Sequence, residues 1–170
     1  MDFIELAKSR YSCRSFSDKE VEKDKIDLIL EAGKLAPTAV NFQPQTIIVV
    51  NSENSLAKIK KGINPKFNPA VAFIVCYDRN KCWVREYDNK PSGEVDASIV
   101  ATHMMLEAKS IGLDSTWIMH FNPEIIKNEF SLGEDIIPVV ILVMGYSAPD
   151  AIPSLNHYKR RELDDFVKYE

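Results

Sequence analysis

Three apolar runs constrain this chain more than any other feature. Residues 46–51 (TIIVVN), 70–77 (AVAFIVCY) and 137–145 read as strands, the first two buried and the third long and apolar. Helical periodicity fills the gaps. A short helix covers 2–9. A second covers 22–36, with Ile26, Ile29, Leu30 and Gly33 on one stripe, and Pro37 ends it because proline disfavours helix in the residue before it. A third covers 53–61 and closes at Gly62. The longest covers 94–111 and ends at Gly112, and a last one over 123–130 has proline in its first turn. Residues 114–118 read as a short strand. This alternation predicts a three-layer α/β or α+β sheet domain. The chain has 170 residues, no repeat and no Gly/Ser linker, enough for one domain with a real core.

The net charge of −4 provides no basic field for phosphates over a wide surface, which argues against nucleic-acid binding. Cys13, Cys76 and Cys82 are odd in number and lack C-x-x-C spacing, so neither a disulfide framework nor a zinc site is expected, and the reading is a reducing cytoplasm. The opening MDFIELAKSR lacks the basic and apolar regions of a secretory signal. No apolar stretch reaches the roughly 20 residues a membrane span needs.

Two features point to a dimer. The long helix is apolar on more than one face, through Val95, Ala97, Ile99, Val100, Ala101, Met104, Met105, Leu106 and Ala108. That pattern fits a helix covered on nearly all sides, and equally a central core helix. Residues 146–170 form a polar tail with few apolar anchors, which would fray unless it wraps something, and a partner subunit is one candidate.

Four segments carry chemistry. The first holds Arg10, Tyr11, Ser12, Cys13, Arg14, Ser15 and Phe16, whose guanidinium forks and hydroxyls suit phosphate, although two arginines near a chain end are commonly just solvated. The second runs from Ala36 to Pro44 through Pro37, Thr38, Ala39, Val40, Asn41, Phe42 and Gln43; it suits a flat polar ligand and equally a plain helix-to-strand turn. The third runs from Gly112 through Trp117, Ile118, Met119 and His120. The fourth is the basic triplet Lys159, Arg160, Arg161.

Taken in order and spacing, the four resemble the nitroreductase family. Arg10, Ser12, Arg14 and Phe16 fit its opening Arg-x-Ser-x-Arg/Lys-x-aromatic segment. Residues 36–44 fit its Ala-Pro-small-small-x-Asn-x-Gln-Pro motif, 112–117 its Gly-Leu/Ile-x-small-x, and Lys159 with Arg161 its closing basic pair. The resemblance implies an α+β fold, a central mostly antiparallel sheet flanked by helices in three layers, forming a single domain over 1–170 with 146–170 as an arm around the partner. It implies FMN at the interface of a homodimer. Arg10, Ser12, Lys159 and Arg161 would hold the phosphate and ribityl chain, and Arg14 would sit beside the flavin pyrimidine edge. Thr38, Ala39 and Asn41 would come from the other subunit, with Tyr11, Pro37 and Gln43 belonging to the same motifs. Trp117, Ile118, Met119 and His120 would lie along the ring, with a backbone N–H of Met119 or His120 near N5.

The implied reaction is hydride transfer from NADH or NADPH to the flavin, then reduction of a small nitroaromatic or quinone acceptor, with no acid–base side chain required and no metal. His120 reads as a proton donor or, more plainly, as a satisfied structural histidine. Cys13 reads as a buried structural thiol. Residues 78–93 read as a loop or lid, with Trp83, Tyr87 and Phe42 as substrate contacts or, for the first two, as aromatics packing the lid down. The chain departs from the family pattern at Trp117, Met119 and His120, and Asn64 is the one candidate for a family asparagine near the pyrimidine. Two other readings keep the cofactor: a flavin-storing protein without turnover, and another family reaction such as reductive dehalogenation. A Rossmann enzyme is rejected because the six glycines form no G-x-G-x-x-G turn. Flavodoxin-like binding is rejected because the loop at Ser52, Glu53 and Asn54 is acidic.

Overall fold

The structure, a computed structural model, describes residues 2–63 and 67–170. Its elements in chain order are α1 (Phe3–Ser9), α2 (Lys23–Leu35), β1 (Gln45–Val50), α3 (Glu53–Lys60), β2 (Val71–Asp78), β3 (Val84–Arg85), β4 (Lys90–Pro91), α4 (Gly93–Ser110), β5 (Asp114–Ile118), α5 (Pro123–Glu129) and β6 (Ile136–Gly145). Four strands form one sheet in the order β1-β2-β6-β5, every pair antiparallel.

Strand periodicity divides β2 between two cores. Val71, Phe73 and Val75 pack with Val140, Leu142 and Met144 against α2 and α4. Ala72, Ile74 and Cys76 pack with Ile141 and Val143 against α3 and α5, joined by Ile59 and Ile126. The result is the expected three-layer α-β-α arrangement, with apolar central strands because both faces are covered. Pro138, which has no N–H to give the ladder, sits at a register shift between β2 and β6.

Caps fix the shorter helices. Asp2 accepts from the Glu5 N–H at 2.8 Å, and Asn122 accepts from Glu124 and Ile125 at 3.0 and 3.1 Å ahead of Pro123. Helix α4 has no side-chain cap and is held by packing. It crosses α2 closely at Gly33, where an added Cβ would lie 2.9 Å from Met104 Cγ, and starts at Gly93 flat against the Tyr77 ring.

Three expectations change. The run at 46–51 is an edge strand: of β1 only Val50 is fully buried, because β1 has one sheet neighbour. The segment at 78–93, expected as a loop or lid, contains a short hairpin in which β3 pairs with β4. The tail is not poor in apolar residues. Ile152, Leu155, Tyr158, Leu163, Phe166, Val167 and Tyr169 are exposed along it. Helix α4 buries Ala97, Val100, Ala101, Met104 and Ala108 on one side, while Glu94, Val95, Ser98, Ile99, Thr102 and His103 line an open trough of about 460 Å³ on the other.

Candidate functional site

The segment after α1 runs extended along the edge of β5. Ser12 bridges Ser115 in parallel, the Cys13 N–H donates to the Ser115 carbonyl at 2.9 Å, and the Thr116 hydroxyl donates to the Cys13 carbonyl. Further on, Phe16 bridges Ser147 beyond β6. Extended backbone sends alternate side chains to opposite sides. Tyr11 and Cys13 are therefore buried, whereas Arg10, Ser12 and Arg14 face outward together.

That outward side is one wall of a cleft of about 280 Å³ lined by Arg10, Ser12 and Arg14. The opposite wall is Ser154, Asn156, His157 and Arg160, brought there by the short 3₁₀ turn Leu155–Tyr158 in the tail. His157 packs edge-on to Tyr11 at 6.3 Å between ring centres, which ties the tail to the segment. The arginines that pair with carboxylates are Arg79 and Arg85; among the described residues Arg10, Arg14 and Arg160 have no such partner. Burial pushes the Arg10 guanidinium below its ordinary value, and the positive charge of Arg160 pushes it the same way. Cations gathered without counter-charges, beside serine hydroxyls, fit an anionic group such as a phosphate.

Beneath the wall lie groups that do not face the cleft. Burial first, then the Asp114 carboxylate, pushes the Tyr11 phenol up to about 12. Lys109 binds Asp114 at 2.8 Å and stands 5.5 Å from the Tyr11 ring. The Cys13 thiol donates to the Ser15 carbonyl at 3.1 Å, and burial raises its pKa, so it is a structural thiol.

The two expected tail cations are placed differently. Neither Lys159 nor Arg161 lines the cleft. Lys159 is exposed, and Arg161 donates to the Asp165 carbonyl and lies 5.5 Å from the Phe166 ring. Arg160, with Ser154, Asn156 and His157, is what sequence reading missed. Its only signal there was its place within the basic triplet.

The loop at 37–44 lies at the corner between α2 and β1 and lines none of the clefts described here. Pro37, Asn41, Phe42 and Gln43 are exposed, and Thr38 and Ala39 half-buried. Thr38 Oγ1 accepts from the Gln43 N–H at 3.0 Å, Gln43 Nε2 donates to the Asn41 carbonyl at 3.2 Å, and the Ala39 N–H donates to Asp96 Oδ1 at 2.8 Å. Trp117 is half-buried against the α2–α4 core, and Ile118 is buried in the other core. Met119, 69% exposed, and His120 then emerge at the end of β5. His120 lines a cleft of about 580 Å³ with Lys61, Gly62, Ile63, Phe121, Asn122 and Pro123. Among the described residues it forms no hydrogen bond. Trp83 is half-buried at the base of the β3–β4 hairpin, and Tyr87 is 97% exposed at its tip. Asn64 lies outside the described residues.

The family model described as Nitroreductase family matches residues 7–74 and 60–146. A protein of Methanothermobacter thermautotrophicus, carrying the provisional name NADH dehydrogenase/NAD(P)H nitroreductase, is 34% identical over 161 residues, covering 87% of this chain and 78% of that one. The FMN reductase [NAD(P)H] of Bacillus subtilis is 28% identical over 155 residues, 81% of this chain and 62% of that one. A crystal structure of a nitroreductase family protein from Clostridium difficile superposes with a TM-score of 0.94 at 43% identity, covering 100% of this chain and 99% of the other. An FMN complex from Exiguobacterium sibiricum shares the fold at a TM-score of 0.85 and 23% identity, covering 100% and 98%. With the arginine-lined segment on β5, the antiparallel sheet between its helix layers, and matches across most of the sequence all in agreement, the chain belongs to the nitroreductase family.

Proposed function

We propose that the protein is a homodimeric FMN-dependent oxidoreductase that takes electrons from NADH or NADPH and passes them to a small nitroaromatic or quinone-type acceptor in a ping-pong cycle. The observation that carries this is the cleft in which Arg10, Arg14 and Arg160 meet without a carboxylate. Bound FMN would supply the redox chemistry, hydride acceptance at N5 and two-electron delivery. Arg10, Ser12 and Arg160 would hold the phosphate end. Arg14, exposed at the same wall, would supply positive charge toward the pyrimidine edge, favouring the reduced anionic form. Met119 and His120 would border the ring and Trp117 and Ile118 hold them in place from β5, whereas Thr38, Ala39, Asn41 and Gln43 would serve the partner's site. Phe42, Trp83 and Tyr87 would meet the acceptor. Lys159 and Arg161 would contribute charge around the phosphate only at longer range.

Two features support the dimer: the trough on α4, whose floor holds Val95 and Ile99, and the tail, whose large apolar side chains stay exposed within one chain. Among the described residues no helix is long and apolar enough to cross a membrane, and three free cysteines accord with a reducing cytoplasm. The test is spectroscopic. Freshly purified protein should be yellow, should bleach with NADH or NADPH without air, and should recover with menadione. Bound flavin that does not bleach with either nucleotide would make the protein a flavin store.

A further inference from the structure

We infer that Asp96 is a positioning residue for the flavin site, the anchor that holds the loop carrying Thr38, Ala39 and Asn41 in its binding shape. The inference rests on the FMN reading of that loop.

Asp96 is 2% exposed, a carboxylate on the buried face of α4 among Ala97, Val100 and Met104. A buried carboxylate is costly unless its oxygens are bonded. Both are: Oδ2 accepts from the Ser92 hydroxyl at 2.6 Å, and Oδ1 accepts from the Ala39 N–H at 2.8 Å. The Ser92 hydroxyl, one residue before α4, is thus used to orient Asp96 and does not cap the helix.

The other end of that bond needs holding. Val40, Asn41 and Gln43 have φ of 53°, 55° and 52°, three non-glycine residues in the left-handed region within four positions. Such backbone persists where its surroundings over-determine it. Apart from Ala39 N–H to Asp96, the bonds of residues 38–43 run from Asn41 N–H to Thr38, Phe42 N–H to Ala39, Gln43 N–H to Thr38 and Gln43 Nε2 to Asn41, all inside the loop. Among the described residues the one hydrogen bond from residues 38–43 to the body of the protein ends on Asp96, and the next anchor is the Pro44 carbonyl, which accepts from the Asp78 N–H at 2.8 Å. Ser92 also donates its N–H to the Trp83 carbonyl at 2.8 Å. A continuous chain of hydrogen bonds therefore runs from the base of the β3–β4 hairpin through Ser92 and Asp96 to Ala39.

The test uses the full-length protein, stripped of flavin and titrated with FMN by fluorescence quenching, with the visible circular dichroism of the saturated complex as a second readout. Asp96→Ala should weaken FMN by about tenfold to a hundredfold, the range for losing a hydrogen bond to a charged group, and change the flavin dichroism at saturation. Asp96→Asn keeps an oxygen for the Ala39 N–H and should stay near the parent in both. Ala39→Pro reads the same bond from the loop side if Asp96→Ala fails to fold. It deletes the N–H at the first position of a helical turn, after an extended Thr38, where proline is tolerated. It should reproduce the loss. Met104→Ala, on the same helix but away from the loop, is the control for lost stability. FMN affinity within twofold of the parent in Asp96→Ala or Ala39→Pro would overturn the inference, as would an equal loss in Met104→Ala at a matched fall in Tm. Failure of the parent protein to bind FMN would instead overturn the functional reading.

Discussion

Replacing Arg160 separates what the cleft does from what the basic triplet suggests. A hydrogen bond to a charged group contributes about 1.5–3 kcal/mol. Arg160 is exposed, so its contact with a phosphate is screened and the lower figure applies, about tenfold in Kd. Arg10 is half-buried, and its replacement should come nearer the upper figure, on the order of a hundredfold. Arg161 and Lys159 line no part of the cleft, and alanine at either should change FMN affinity by about twofold or less, a screened charge at a distance. The ligand-free protein should respond with the opposite sign. Arg160 disfavours the charged form of Arg10, so Arg160→Ala should leave thermal stability unchanged or slightly higher without FMN. The assay is a fluorescence titration of the apoprotein at fixed ionic strength, repeated with riboflavin, which has no phosphate. The Arg160→Ala deficit should appear with FMN and vanish with riboflavin. An equal deficit with both flavins, or a tenfold loss in Arg161→Ala with none in Arg160→Ala, would refute the assignment of this cleft to the phosphate.

Gly93→Ala should destabilise by about 2–3 kcal/mol through overpacking, because the new Cβ would lie 2.1 Å from Tyr77 Cδ2 and that ring is itself buried; a thermal melt within a degree of the parent would contradict the packing. Val40→Asn should stabilise the flavin-free protein by about 1 kcal/mol, since Val40 is 67% exposed and β-branched at positive φ, and a lowered Tm would count against strain there. Glu22 is held down to about 2, first by the Tyr146 hydroxyl donating at 2.7 Å and also by Lys19. A carboxyl lowered on folding stabilises above its unfolded value and loses that as pH falls through the folded one. Glu22→Gln should therefore narrow the stability gap to the parent between about pH 4.5 and pH 2 in acid-unfolding curves, and curves that stay parallel through that window would remove Glu22 from the linkage.

How much of this was legible in the sequence depends on what each signal reports. The strand read at 114–118 is found at Asp114–Ile118, and 70–77 is shifted by one residue at each end, because a run covered on both faces leaves no choice of period. The run at 46–51 misled about burial: apolar residues report avoidance of water and say nothing of how many strands flank them. The hairpin within 78–93 was invisible because β3 and β4 are two residues each and exposed, with no apolar alternation to detect. In the tail, a 3₁₀ turn ahead of the triplet sets which basic residue faces the cleft, and composition carries no phase. Asp96 had a signal that went unread. It lies four residues before Val100 and eight before Met104, on the buried stripe of an otherwise apolar helix face, where a carboxylate requires a partner.

The clearest parts of this fold are those that satisfy themselves within one chain, and the site is made of parts that do not. Arg10, Arg14 and Arg160 face one another without a carboxylate, the tail carries seven large apolar side chains into solvent, and the loop at 38–43 holds left-handed backbone on a single external bond. Each raises the free energy of the lone, empty chain, through like-charge proximity, exposed apolar area and backbone strain respectively. On the proposed reading one assembly relieves the first two: a phosphate neutralises the cations, and a second copy covers the tail. Because residues 154–160 of that tail form one wall of the cation cleft, covering the tail and filling the cleft act on the same segment. Anything that binds only the ordered form shifts the equilibrium toward it. Flavin and dimer would therefore stabilise each other through residues 154–160, without any direct contact between the phosphate and the partner.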